Sequence, residues 1–283
     1  MSTYVIVNAD DFGIDPGTNR GIIDAHCQGI VTSVSLMPTG SAFDEAVALA
    51  HQHQNLSIGI HLTLVEGGPV LPPMRIPTLV TTDGRFIKTP GGFVKRWALG
   101  QIRLSEVKRE IEAQVAKVAD QGIRIDKLDS HMHLHLLPGI FQIVVEVGRK
   151  HQIRGIRLPR EKLHWQGPGR LPGSAKQLVL RCLSLLQARQ VRSAELICPD
   201  YFCGLAKSGQ MTEKALLRAL SSLRPGVTEI MVHPGYQGSE MAGWPLSQRY
   251  QREKEVTALT STRVKELVKR LEIKLVGYHM VPL

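Results

Sequence analysis

The chain is poor in cysteine and in aromatic residues, and it has no long apolar run. Its four cysteines, Cys27, Cys182, Cys198 and Cys203, are scattered without a CxxC pair. That excludes a disulfide-stapled secreted scaffold and fits a reducing cytoplasm. Nowhere do about 18 consecutive apolar residues occur, which excludes a spanning helix but leaves attachment to a membrane surface open. The opening MSTYVIVNADDFG lacks a basic segment ahead of an apolar one, so no signal peptide is expected and the cytoplasm is the expected location. Internal repeats, low-complexity tracts and Gly/Ser linkers are also missing, so residues 1–283 are expected to form a single domain. Walker A and GxGxxG loops are absent, as are the G-x-S-x-G elbow and the HExxH helix, which leaves nucleotide cofactors and those two hydrolase types without support.

What remains is a soluble, globular composition, with 43% hydrophobic and 21% charged residues over 283 positions. Disordered and fibrous classes are excluded. The 35 Lys and Arg against 25 Asp and Glu give a net charge of +10, which favours an anionic partner or surface.

Short β-rich runs alternate with helix-period stretches from end to end. The expected strands are Tyr4–Ala9, Ser33–Met37, Ser57–Ile60, Arg124–Ser130, Gly155–Leu158, Glu195–Cys198, Glu229–Val232 and Lys274–Tyr278. Between them lie helix-like segments including Phe43–His51, Glu106–Asp120, Phe141–His151, Gln177–Arg189, Glu213–Leu223 and Glu253–Leu271. This order predicts an α/β fold, a TIM-like (β/α) barrel with a parallel sheet. One segment breaks the rhythm. Residues 66–102 are rich in Gly and Pro, and Asp83-Gly84 reads as a hairpin turn, so a long loop insertion after the third strand is expected, a lid or binding loop. A second irregular stretch, Pro159–Ser174, carries His164 and Trp165 and could serve the same mouth.

The ionisable residues able to do chemistry fall at the C-terminal ends of the apolar runs. Asp10 and Asp11 end the first, His61 ends SIGI, Asp129 and His131 end IRIDKLDS, Arg157 sits in GIRLP, and His233 ends EIMV. In a parallel barrel those ends converge on one face, where Asp and His from different strands form a metal-site pattern. The carboxylate pair could instead cap the helix beginning near Pro16. The run His131-Met132-His133-Leu134-His135, if extended, would set three histidines on one face about 6.6 Å apart from i to i+2, so spacing leaves open which of them ligates. Asp129 reads either as the carboxylate behind a ligand histidine or as a strand-end cap. Arg157 could do no more than close an ion pair. One Asp with two His is an open ligand set, which suits hydrolysis with a separate base and acid.

VNADDFG, GIHLTL, LDSHMHLH, IRLP and MVHPGY, in that order over nearly the whole chain, resemble the motifs of the YdjC-like carbohydrate deacetylases, which include the chitooligosaccharide deacetylases. The resemblance implies a hydrolase with one divalent ion, Zn²⁺ or Mg²⁺, held by Asp11, His61 and His131. It makes Asp10 the base and His233 the acid, and it suggests Arg157 near the site; His133, His135 and Tyr236 are read beside it as candidate substrate contacts. NRGIIDAH and the HLTLVEGGPVLPP stretch are similar to the branch associated with hopanoid biosynthesis, which implies an N-acetylglucosamine unit on a membrane lipid. The +10 charge and the basic, apolar-periodic segment Lys176–Arg192 admit a membrane-surface partner, although such a stripe ordinarily packs a helix onto its sheet. A homodimer is also admitted. Rival readings are a deacetylase of soluble chitooligosaccharide, a metal-dependent phosphoesterase, and a basic module binding anions; no nucleic-acid motif is present.

Overall fold

Strand β1 (Thr3–Phe12) shows how the sheet is built. Alternate side chains point to opposite faces. Val5, Val7 and Ala9 join the main apolar core, whereas Ile6 packs with Val227, Val276 and Tyr278 as a separate cluster. On the side of Ile6 the next positions are Asn8 and Asp10, so the interior changes from apolar to polar along the strand.

A computed structural model describes residues 2–161, 175–236, 244–245 and 249–281. After β1 come β2 (Ser33–Leu36), β3 (Ser57–Leu62), β4 (Lys127–Ser130), β5 (Gly155–Ile156), β6 (Tyr201–Cys203), β7 (Gly226–Val232) and β8 (Lys274–Leu275). All pairings are parallel, in the order β5-β4-β3-β2-β1-β7-β6, with β8 against β1 at Tyr4 and Val5. The α/β class with a parallel sheet is as expected. Among the described residues the ladder is a path, a half-barrel, where the sequence suggested a closed ring of eight. The expected strand Glu195–Cys198 contributes a single bridge, Ile197 to Gly155, and the strand at this place is β6, a few residues later.

The helices are α1 (Pro16–Cys27), α2 (Phe43–Gln52), α3 (Pro90–Ala98), α4 (Leu104–Ala119), α5 (Ile140–Lys150), α6 (Ala175–Ser193), α7 (Glu213–Ser221), α8 (Arg252–Thr260) and α9 (Thr262–Arg270). Helix α1 starts where Asp15 accepts from Gly17 N and Thr18 N and Pro16 opens the first turn. The cap is thus Asp15, and the Asp10–Asp11 pair is left for other work. The last helix-period stretch, expected as one helix, is broken at Ser261 into α8 and α9.

The segment 66–102 is not a bare loop. It holds a 3-10 turn at Pro73–Arg75, an antiparallel bridge from Val80 to Phe86 across the Asp83-Gly84 turn, and α3. Ile76, Leu79, Phe86, Phe93 and Ile102 are buried, which anchors the segment in the core. Glu110 and Glu106 of α4 accept from the backbone of Val70, Leu71 and Thr78 at 2.8–3.1 Å. His164 and Trp165 lie outside the described residues.

Candidate metal and catalytic site

A regular strand cannot aim two consecutive side chains into one site. At the end of β1 the pairing register with β2 shifts between Ala9 and Phe12, and Asp11 adopts a left-handed backbone, φ 68°. Aspartate tolerates that conformation better than most residues. The irregularity turns both carboxylates toward His61, with Asp10 Oδ2 4.0 Å and Asp11 Oδ1 3.7 Å from its Nε2.

The next irregularity follows β4. The expected extended face of three histidines does not form, because residues 131–136 make 3-10 turns in which Met132 and His133 are left-handed, φ 57° and 59°. The three rings therefore take separate environments. His131 sets Nδ1 3.6 Å from Asp11 Oδ1, and its Nε2 pairs with Glu66 Oε2 at 2.8 Å. His135 is bonded on both nitrogens, to Ser130 Oγ and to the Arg157 carbonyl, and so is committed to the interior. His133 is buried with Nδ1 lacking a partner among the described residues, and it lines the cleft with Asp10, His61, His131, His233 and Lys176.

Asp11, His61 and His131 are the group whose donor atoms fit a cation. His61 Nδ1 is taken by Asp129 Oδ1 at 2.6 Å and His131 Nε2 by Glu66, so each ring presents its other nitrogen to Asp11. A carboxylate behind each imidazole is the arrangement that fixes tautomer and orientation in metal sites. Asp11 is fixed likewise, since Arg252 Nη2 donates to its Oδ2 at 2.6 Å and leaves Oδ1 toward the rings. A second cluster, Asp10, His61 and Asp129, is saturated by hydrogen bonds and by Arg157.

Charge is dense and balanced here. Arg157, fully buried, donates to both Asp10 oxygens at 2.7–2.8 Å and to Glu229, and lies 3.1 Å from Asp129. Lys127, also fully buried, pairs with Asp129 and donates to Ser35 Oγ. It fits only because residue 59 is glycine: a Cβ there would sit 2.4 Å from Lys127 Cγ. Burial would raise the Asp10 and Asp11 carboxyls, but their neighbours together, Arg157 with His61 for the first and Arg252 with His131 and His233 for the second, outweigh it and hold both below the usual range. Burial would lower His131, yet Asp11 and Glu66 on either side of the ring raise it to about 9. His233 goes the other way: burial outweighs the nearby carboxylates and lowers it to about 4. Its backbone N–H donates to Glu255, whose carboxyl burial pushes up to about 7.

The structure thus brings Asp10, Asp11, His61, His131, His133 and His233 to one cleft. It does not bring Tyr236 there, whose hydroxyl donates to Asp24 of α1 at 2.7 Å. Arg157 faces carboxylates, not solvent. Glu66, Arg252, Lys127, Glu229 and Glu255 complete the site and were not singled out in the sequence. Lys127 and Asp129 two residues apart in a strand were a legible sign of a polar interior; Glu66 and Arg252, on loop and helix, gave no local sign.

An α/β half-barrel with a buried Asp/His cluster at the strand ends defines the class. Residues 4–270 match the YdjC-like protein family model, and the chain belongs to that family. It is 30% identical to a carbohydrate deacetylase of Geobacillus stearothermophilus, over 99% of this chain and 98% of that one. It is 33% identical to a carbohydrate deacetylase of Homo sapiens, over 82% and 75%. Among solved structures it is similar to an Enterococcus faecalis protein named for cellobiose-phosphate cleavage, with TM-score 0.78, 28% identity and coverage of 99% and 98%. A lactam utilization protein from Thermus thermophilus shares the fold, with TM-score 0.51, 15% identity and coverage of 97% and 99%.

Proposed function

We propose that the chain, as one domain, is a metal-dependent carbohydrate N-deacetylase that releases acetate from an N-acetylated amino sugar. The observation that carries this reading is the pair of imidazoles, each backed by a carboxylate and each turned toward Asp11. The family relatives named as carbohydrate deacetylases support the substrate class. Asp11, His61 and His131 would hold a divalent ion, Zn²⁺ or Mg²⁺, which supplies Lewis acidity toward the acetyl carbonyl and the attacking water. The imidazole pair leans the choice to zinc, since Mg²⁺ prefers oxygen ligands.

Asp10 accepts the proton of the water, its carboxylate fixed and kept charged by Arg157. The water oxygen bonds to the acetyl carbon, the C–N bond breaks, and the amine needs one proton to leave. His233 delivers it. Burial keeps that ring neutral at rest, so it must first gain a proton, and the one taken from water by Asp10 is the supply. His133, which lines the cleft and whose buried Nδ1 has no partner among the described residues, is assigned to the substrate. Arg157 and His135 act through their neighbours. A site for a single ion would favour amide hydrolysis, and two ions would favour phosphate-ester hydrolysis.

For the acceptor we favour an N-acetylglucosamine unit on a hopanoid-type lipid, supported by NRGIIDAH and HLTLVEGGPVLPP. Mass spectrometry of N-acetylglucosaminyl compounds incubated with the metal-loaded protein tests both levels: a loss of acetyl is expected. Efficient turnover of soluble chitobiose, with no accumulation of the acetylated lipid in a strain lacking the gene, replaces the lipid by a soluble saccharide. Phosphate release without acetate replaces the reaction class.

Two binding predictions follow from the ligand geometry. His131 carries a proton below about pH 9, and an incoming cation must displace it. Apparent metal affinity should therefore rise with pH up to about 9, and binding at neutral pH should release a proton, read by calorimetry in buffers of different ionisation enthalpy. No proton release would remove His131 from the ligand set. Glu66→Gln, which keeps the shape but not the charge behind His131, should weaken metal binding roughly 10–100-fold. Unchanged affinity would assign Glu66 no part in orienting the ring.

A further inference from the structure

Helix α6 buries a mixed face and leaves a second apolar face exposed. Its buried residues are Gln177, Leu180, Ser184, Gln187, Ala188 and Val191. Three are polar: Gln177 and Gln187 are bonded inward, to Glu161 and to Leu136 O, and Ser184 donates back to Leu180 O within the helix. Four further large apolar side chains lie outside. Leu178, Val179, Leu185 and Leu186 are 47–59% exposed, and Cys182 is exposed between them. At about 100° per residue these five fall within about 120° of arc, across the helix from the buried set. Leu180, Ala188 and Val191 seat the helix on the core, and a second apolar stripe is turned to solvent.

The charge on α6 is of one sign. It carries Lys176, Arg181, Arg189 and Arg192 and no acidic residue, in a chain of net charge +10. Apolar residues on one face flanked by arginine and lysine are the composition of a helix lying in a bilayer interface. A second copy seated symmetrically on this face would set Arg189 and Arg192 against their own counterparts. The helix also borders the cleft, since Gln187 holds the turn containing His131 and His133, and Lys176 lines the opening.

We propose that α6 is a docking helix for an anionic bilayer, its leucines in the acyl boundary and its arginines on lipid phosphates, which sets the cleft mouth at the membrane surface. No helix among the described residues is long and apolar enough to cross a membrane, so the contact is peripheral. The inference is independent of the deacetylase reading, because vesicle binding needs no turnover.

The test is flotation of the full chain with phosphatidylcholine vesicles, with and without phosphatidylglycerol, at low and high salt. Binding is expected only with phosphatidylglycerol, weakened by salt. Leu178→Glu/Leu186→Glu should lower binding at least about tenfold, because each leucine kept out of the acyl boundary forfeits its transfer free energy. Arg189→Glu/Arg192→Glu leaves the stripe intact and should lower binding to anionic vesicles alone, which decides the matter if the leucine variant fails to fold by circular dichroism. Absence of flotation at low salt overturns the proposal, as does flotation unaffected by either variant. A dimer by ultracentrifugation that the leucine variant dissolves assigns the face to a second copy and overturns it as well.

Discussion

Asp10→Asn is expected to keep its metal and its fold while losing roughly 10²–10⁴-fold in turnover, the usual cost of removing a general base. The substitution retains the shape of the side chain and one acceptor for Arg157, but the amide cannot take a proton from water. Structural damage should be limited, because Arg157 keeps Glu229 at 2.7–2.9 Å and Asp129 at 3.1 Å. Metal content by elemental analysis and kcat for acetate release, measured on the same preparation, separate the two effects. Near-normal kcat at full metal occupancy would take Asp10 out of the proton transfer; a metal-free variant would move it into the ligand set.

Arg157→Met should have the largest effect on stability. Methionine fills much of the volume but leaves Asp10, Asp129 and Glu229 buried beside one another, with Asp129 still held by Lys127 and His61 while Asp10 and Glu229 lose their arginine. Removing one member of a buried ion network costs about 3–5 kcal/mol, a large share of the roughly 5–15 kcal/mol that hold a domain folded. Urea unfolding should show the midpoint falling sharply at constant slope. Adding Glu229→Gln to the variant should restore part of the loss, since the two sites share contacts and are not additive. Full additivity, or a loss within the range of an ordinary surface substitution, would mean that the carboxylates find other partners.

Much of the site was legible in the residues because parallel α/β architecture converts order along the chain into position in space. Once β-rich runs alternate with helices, residues at the carboxyl ends of the runs share one face, and Asp10, Asp11, His61, His131 and His233 do so. The histidine run was not legible in the same way. Alternation of His131, His133 and His135 suggested one extended face, but the left-handed turns at Met132 and His133 sent each ring to different partners, and backbone conformation at such points is set by what surrounds it. Helix α6 misled for a related reason. Apolar periodicity marks a stripe but not which way it faces, and here polar partners at Glu161 and Leu136 hold the other face inward.

By itself, then, the sequence determined the α/β class, the strand-end cluster and the family resemblance, because all three depend on local periodicity and on the order of motifs. Only the tertiary structure decided which carboxylate stands behind which imidazole, that Arg157 serves Asp10 and not solvent, and that Glu66 and Arg252 belong to the site. Those pairings join residues 65 to 241 positions apart, and no local preference encodes them. They arise because a charge withdrawn from water must be met by an opposite one, and which charge meets it is settled when the strands and helices are packed.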